Sequence, residues 1–494
     1  MHLKGNELGI VVSHRKPPTH LSFIFQLNDD IDVKVGEFVE VPIGKYVLVG
    51  RIVLITAYNE YLENPEFIRD HMQRGLSISA RFPIDIGRWR AAKVEIIAMF
   101  SGDRIHPPNI PPEPGEMVYR AGTEVLRKLL GIREDGLFLG TMYGNSDLKV
   151  KINPESLVRL HFAVFGTTGS GKSYTVGVLV EELLEKNFPV VIIDPHGEYF
   201  TFREKNDDMS AVAKLSLLGL TTRGYPTQIF YPSYGGSGNL SLNFSQLNTD
   251  AIAEMANLTP VMRDLLYLAM RNLRDSGIKK ITPDLLLSTV NEIASKWGFY
   301  KKTTLTLSRN ISLLKELGIF GTGFDPKEIV KPGQLTIIDL SGDIEEHIRR
   351  IFVGAILQEL FNARKKNLIP SLLVIVEESH RFAPQEEDTY SKTVMRKIAR
   401  EGRKFGIGLG VVSQRIVGLD KDVISQCGTK FILRIDTKTD LDYLRPYLEI
   451  SSEEDARRIP YLPTGVAMIT GRATRYPILI NVRPRKSKHG GSFI

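Results

Sequence analysis

Only one cysteine occurs in the 494 residues, so no internal disulfide can form, and Cys427, in a run of strand character, is read as structural. Uninterrupted apolar runs of membrane-spanning length are absent. The opening Met1-His2-Leu3-Lys4-Gly5 also lacks the apolar core of a signal peptide. No membrane partner is therefore expected, and the cytoplasm is the expected location. Charge bias is weak as well: a net charge of +7 over this length permits nucleic-acid binding without arguing for it. No carboxylate cluster stands apart from the motifs described below, which counts against an intrinsic nuclease. What is present is ordinary globular material, 42% hydrophobic and 24% charged, long enough for two to four domains.

The stretch that organises the chain is Phe162-Ala163-Val164-Phe165-Gly166-Thr167-Thr168-Gly169-Ser170-Gly171-Lys172-Ser173. An apolar strand runs into a glycine-rich loop, and the loop opens a helix rich in Val and Leu, with Tyr174 in its first turn. The spacing Gly166, four residues, Gly171-Lys172-Ser173 fits the phosphate-binding loop G-x-x-x-x-G-K-[ST] in full. Glycines let successive N–H groups curl around a phosphate, and the helix N-terminus adds partial positive charge. Lys172 is expected on the β- and γ-phosphates and the Ser173 hydroxyl on Mg²⁺, which makes the ligand a nucleoside triphosphate.

Around this loop the chain divides by pattern. Residues 1–105 hold short Val- and Ile-rich segments (Leu8–Ser13, Ser22–Gln26, Phe38–Val41, Tyr46–Ile55, Lys93–Ala98) punctuated by turn residues, which predicts a small β-barrel domain. The barrel shows no aromatic platform with interleaved basic residues, so assembly or docking is the expected role. Residues 106–115 carry five prolines and read as a stiff linker. From 116 to 244 and again from 323 to 480, strands alternate with helices, an α/β pattern that predicts a mainly parallel sheet. Between them, residues 245–322 keep helical periodicity and predict an inserted bundle of about four helices. That bundle either buttresses the sheet or serves subunit contacts or DNA handling. Residues 481–494 form a basic tail, read as a solvated terminus, a nucleic-acid arm or a strap over a neighbouring subunit.

Ligands of parallel sheets sit at the carboxyl ends of strands, so the residues that follow the apolar runs are the ones to weigh. Leu372–Val376 ends in Glu377-Glu378, the shape of a Walker B element: Glu377 for metal support and Glu378 as the base that activates water. The run Val411-Val412-Ser413 ends at Gln414, a candidate sensor of the γ-phosphate. Asp194 ends the strand Val190–Ile193 and either faces the metal or caps the following turn. Arg403, with Arg400 as second choice, is the candidate arginine finger, a group able to contribute about 10³–10⁵ in rate from a neighbouring subunit. Lys392, Arg396 and Lys397 either meet DNA phosphates or line a solvated helix.

Taken together, Gly166–Ser173, Ile192-Ile193-Asp194-Pro195-His196-Gly197-Glu198-Tyr199, Val376-Glu377-Glu378-Ser379-His380-Arg381-Phe382, Arg400-Glu401-Gly402-Arg403-Lys404-Phe405-Gly406 and Ser413-Gln414-Arg415 resemble the HerA family of hexameric DNA translocases, archaeal type. The order and the preceding barrel also match. The resemblance implies a RecA-like P-loop ATPase core that uses ATP and Mg²⁺ and forms a homo-hexameric ring on double-stranded DNA. It further implies a NurA-type nuclease partner and a place beside the Mre11–Rad50 complex in end resection and recombinational repair. Under it Glu378 is the catalytic acid–base residue and Arg403 acts in trans. A competing reading is a secretion or conjugation motor of the VirB4 or TraG type, which shares this core; a third is a nucleotide-binding scaffold without turnover.

Overall fold

The computed structural model describes residues 7–13, 16–59, 62, 68–69, 73, 88–235, 237–278, 280–448 and 453–490. Its contacts divide the chain into two compact units, residues 1–133 with 142–148, and residues 134–141 with 149–494.

The first unit is a β-barrel of β1 (Glu7–Val12), β2 (Ser22–Leu27), β3 (Phe38–Ile43), β4 (Tyr46–Asn59), β5 (Arg88–Ser101), β6 (Arg104–His106) and β7 (Met117–Arg120). Their order is β2-β1-β7-β3-β4-β5-β6, and a further β2–β5 pairing closes six strands on themselves. Closure leaves those strands without open edges. Inward side chains such as Phe25, Val39, Leu48, Ile52, Val94 and Val118 fill the interior. The proline-rich stretch does not mark the domain boundary. Immediately after it, β7 pairs antiparallel with both β1 and β3, Gly115 N–H donates to Val11 O at 2.9 Å, and Ile110 packs on the barrel core. Without β7 the ring would stand open between β1 and β3. The boundary falls at Arg133 instead, after helix α1 (Thr123–Leu130).

The second unit is built on an eleven-stranded sheet: β8 (Leu137–Met142), β9 (Asn145–Ile152), β10 (Phe162–Phe165), β11 (Val190–Asp194), β12 (Thr227–Phe230), β13 (Leu335–Asp339), β14 (Leu372–Val376), β15 (Ile407–Ser413), β16 (Thr429–Ile432), β17 (Val466–Gly471) and β18 (Ile478–Val482). Their order is β12-β13-β11-β14-β15-β10-β16-β17-β18-β8-β9. From β12 to β16 every neighbouring pair is parallel, and β17 then turns antiparallel. Strands β10, β11, β13, β14 and β15 are buried along their whole length, as expected of a sheet covered on both faces. The covering helices include α2 (Lys172–Glu185), which is apolar nearly all round and correspondingly buried.

The predicted helical insertion spans α3 (Thr249–Met255), α4 (Pro260–Asp275), α5 (Pro283–Trp297) and α6 (Lys301–Glu316). Pro283 at the first helical position and the Thr282 hydroxyl accepting from Leu285 N–H start α5; left-handed Gly298 ends it. The chain then re-enters the sheet at β13, and two long helices, α7 (Glu346–Lys365) and α8 (Tyr390–Phe405), follow β13 and β14.

The basic tail is not solvated. Arg483, Arg485 and Lys486 are all buried, the two arginines at 1% and 0% exposure. They meet the acids of α2. Arg483 donates to Glu181 at 2.9 Å and to Glu182 at 2.8 Å; Lys486 donates to Glu182 at 3.1 Å and to Glu185 at 2.7 Å. Ser487 donates its hydroxyl and its N–H to Glu181. The Arg485 guanidinium lies 4.5 Å from the centroid of the Phe202 ring, and a side chain at Gly177 would come within 2.7 Å of its Nε. Two buried carboxylates, Glu181 and Glu182, demand cations, and the tail supplies them. Residues 491–494 lie outside the described set.

Candidate active site

The parallel register sets the site. Phe165 at the end of β10 lies level with Ser413 on β15, and Val376 at the end of β14 pairs with Val411. Because β15 lies between β10 and β14, Gln414 emerges between the phosphate loop and Glu377-Glu378. Gln414 accepts a hydrogen bond from the Thr168 hydroxyl at 2.6 Å, joining sensor to loop.

Each glycine of the loop has a structural reason. Gly169 and Gly171 take left-handed φ of 74° and 104°, and a side chain at Gly166 would lie 2.6 Å from Ser170 Oγ. Thr167 N–H donates to Arg434 O at 2.8 Å, and Ser170 Oγ donates to Thr167 O at 2.7 Å, fixing the loop's curvature. Lys172 is buried and donates to Thr167 O at 3.1 Å. Burial lowers its pKa, and Glu378, Glu377 and Glu198 oppose that by favouring the ammonium.

The acid pair is buried too. Burial first, then Asp194, Glu198 and Glu378, push Glu377 up to about 8, while the Tyr199 hydroxyl donates to its Oε1 and opposes the rise. Burial also raises Glu378. Its backbone sits at φ 47°, a left-handed geometry that costs a non-glycine residue about 1–3 kcal/mol. That conformation turns the side chain of Glu378 out of the strand direction, and its Oε2 has no hydrogen-bond partner, although His380 Nδ1 lies 3.2 Å away. Burial, with Arg381 and Arg415, brings His380 down to about 4, so near neutral pH its ring is uncharged.

Several expected residues take other parts. Asp194 accepts from the N–H groups of His196 (3.2 Å), Gly197 (2.9 Å) and Tyr199 (3.1 Å), so both oxygens organise the 195–199 turn rather than face a metal. Burial pushes it up to about 6. The Tyr174 hydroxyl accepts from Arg485 N–H at 2.8 Å and its ring meets His489 edge-on, which ties it to the C-terminal segment instead of the loop. Lys392 is buried on the carbonyls of Gln385 and Glu387, and Arg396 makes a two-pronged bond to Asp420, so neither is a free cation for DNA. Arg400 pairs with Asp422 at 2.8 Å. Arg403 is exposed in the last turn of α8 and makes no ion pair among the described residues. It precedes the first residue of β15, whereas Gln414 follows the last. Seven strand residues, roughly 20 Å, therefore separate it from its own phosphate loop.

The sequence reading missed two roles. Ser379 Oγ donates to Val376 O at 2.6 Å and accepts from Val412 N–H at 3.2 Å, locking the end of β14 to β15. Tyr199 supports Glu377 from 178 positions away. A tyrosine closing a polar turn after a buried strand was the available signal.

A strand-ending glycine loop with an internal lysine, a buried acid pair on a nearby parallel strand and a sensor glutamine between them define a P-loop ATPase. The chain resembles the HerA family: its residues 137–360 match the model of the HerA helicase central domain. It is 27% identical to the DNA double-strand break repair helicase HerA of Pyrococcus furiosus, over 98% of this chain and 93% of that protein. With the Saccharolobus solfataricus protein of the same name it shares 28% identity, over 93% and 90%. Among solved structures, VirB4 of Thermoanaerobacter pseudethanolicus superposes with a TM-score of 0.52 at 16% identity, covering 71% of this chain and 96% of that one. The last likeness speaks to the fold alone.

The site suits a magnesium nucleotide. Unpartnered Glu378 Oε2 and a Glu377 carboxyl raised by burial are both groups that a cation would satisfy. Among the described residues no three His, Cys, Asp or Glu side chains converge as a ready-made metal cluster. An Mg²⁺ held mostly by phosphates and water needs no such cluster.

Proposed function

We propose that this chain is an ATP-driven DNA translocase and helicase of double-strand break repair. In this reading copies of the chain form a homo-hexameric ring on double-stranded DNA and serve end resection with a NurA-type nuclease beside Mre11–Rad50. Names of the full-length relatives support the repair role; the ring and the nuclease rest on the family resemblance.

The observation that carries the motor reading is the split arginine. Arg403 stands at the far end of its own sheet, exposed and without an ion pair among the described residues, which leaves it out of reach of its own phosphate loop and free to serve a neighbour's site. Within one chain, loop N–H groups and Lys172 hold the β- and γ-phosphates. Ser173 and Glu377 would hold Mg²⁺, which screens phosphate charge. Glu378 orients the water and takes its proton as that water attacks the γ-phosphorus and ADP leaves. Gln414, tethered to Thr168, contacts the γ-phosphate, so its loss or arrival is felt by β15. Neighbouring Arg403 stabilises charge on the transferring oxygens.

Steady-state ATP hydrolysis with and without linear duplex DNA, across a salt titration, tests the reading. Strong stimulation that fades with salt is expected of a motor gripping phosphates. A rate indifferent to DNA at every salt concentration would overturn it. Arg403→Ala is expected to lose ATPase activity alone and to regain part of it when mixed with Glu378→Gln subunits. No recovery at any mixing ratio would remove the trans role.

A further inference from the structure

The helical insertion presents two aromatic side chains to solvent at one tip. Trp297, the last residue of α5, is 64% exposed, and Tyr300, just before α6, is 85% exposed. The chain has two tryptophans in all, and the other, Trp89, stacks on Tyr58 at 4.3 Å. Leaving the second in water forgoes a large apolar gain, so its placement calls for a ligand or a partner.

The turn that carries these rings is fixed in place. Left-handed Gly298 and Phe299 both return their N–H groups to Ala294 O, and Phe299 packs against the main core. The inward Phe299 thus anchors the turn while the residues on either side face out. Lys296, Lys301 and Lys302 flank the rings, all exposed and without an ion pair among the described residues. No acid stands between 296 and 302; Glu292, one turn back on α5, is the nearest carboxylate in sequence. Lys301 and Lys302 occupy the first turn of α6, against the preference of a helix N-terminus for anions, and that turn has neither an acidic residue nor a side-chain cap. Positive charge is concentrated at this tip, and no carboxylate among the described residues pairs with it.

We infer that the turn between α5 and α6 is a contact for single-stranded nucleic acid, with bases stacking on Trp297 and Tyr300 and phosphates meeting Lys296, Lys301 and Lys302. Exposed π-faces require unpaired bases, because the bases of intact duplex are already stacked. The inference rests on the DNA-motor reading for its biological sense: the tip would hold a strand freed at a DNA end. An acidic protein partner would use the lysines but has no use for two bare rings set to stack.

The test uses the full chain, without ATP, and a fluorescein-labelled 20-nucleotide oligo-dT. The Trp297→Ala/Tyr300→Ala double variant, altered only at exposed positions, is expected to bind the oligonucleotide at least about ten-fold more weakly while duplex-stimulated ATPase stays at the wild-type level. In a Trp89→Phe background the remaining Trp297 fluorescence should be quenched on oligonucleotide binding. Unchanged oligonucleotide affinity, absence of quenching, or no binding by the wild type overturns the inference. So does an equal loss of blunt-duplex affinity, which would make the tip a general phosphate contact. A change in sedimentation of the double variant also overturns it, by making the tip a face between copies. ATPase activity indifferent to duplex, with oligonucleotide binding still lost in the variant, supports the tip and overturns the motor reading instead.

Discussion

Glu378→Gln stops ATP turnover and leaves ATP bound. Glutamine keeps the shape of the side chain and the backbone strain at φ 47°, but it cannot accept a proton from water. Loss of a positioned general base lowers rates by about 10²–10⁴-fold. Lys172→Ala acts differently, because it removes the ammonium that faces the phosphates, so affinity falls first. Turnover assays paired with a fluorescent ATP analogue separate the two, and normal hydrolysis in Glu378→Gln would sink the assignment. Stability moves the other way. Burial raises the pKa of Glu378 in the folded chain, so the native state holds that proton more tightly than the unfolded chain does. The associated stability is present below the ordinary carboxylate pKa and is lost as pH rises through the folded value. Near neutral pH without nucleotide, Glu378→Gln should therefore melt no lower than the wild type.

Arg483→Ala is the second large effect, and it is a loss of stability. The guanidinium is fully buried between Glu181 and Glu182 and also donates to Phe138 O at 3.0 Å. Removing one partner of a buried ion pair strands the others, at about 3–5 kcal/mol. For a unit of this size that is a fall in Tm of roughly 5–10 °C. Lys488, which pairs with Asp207 in solvent, is the control, and Lys488→Ala should melt near the wild type. If Arg483→Ala keeps the wild-type Tm and weakens DNA binding instead, the segment is a nucleic-acid arm after all.

The site was legible where its chemistry is local in sequence. The glycine loop, its lysine and the flanking strand and helix are contiguous, and the Glu377-Glu378 pair closes a five-residue apolar run. What escaped was set by distant partners. Five prolines suggest a stiff connector, and only the pairing of β7 with β1 and β3 shows that the stretch beyond them still belongs to the barrel. Asp194 is different: its three N–H partners are local, and they realise the turn-capping alternative that its strand-end position leaves open beside the metal one. The tail misled because its lysines and arginines look solvated when read alone. The clue lay in Glu181-Glu182, two acids inside the otherwise apolar run Val176–Leu184.

That clue bears on how the chain assembles itself. The Arg483–Glu181 bond joins residues 302 positions apart, and its companions span similar distances. Closing so long a loop is slow, and contacts of such separation form late. During synthesis α2 leaves the ribosome early, carrying two carboxylates, Glu181 and Glu182, that cannot be buried until their counter-charges are made. The helix that opens the phosphate loop thus stays unsettled until the segment 483–487 has emerged. A nascent chain has no finished ATP site to burn fuel with, and its half-built sheet is the form in which it is most open to aggregation.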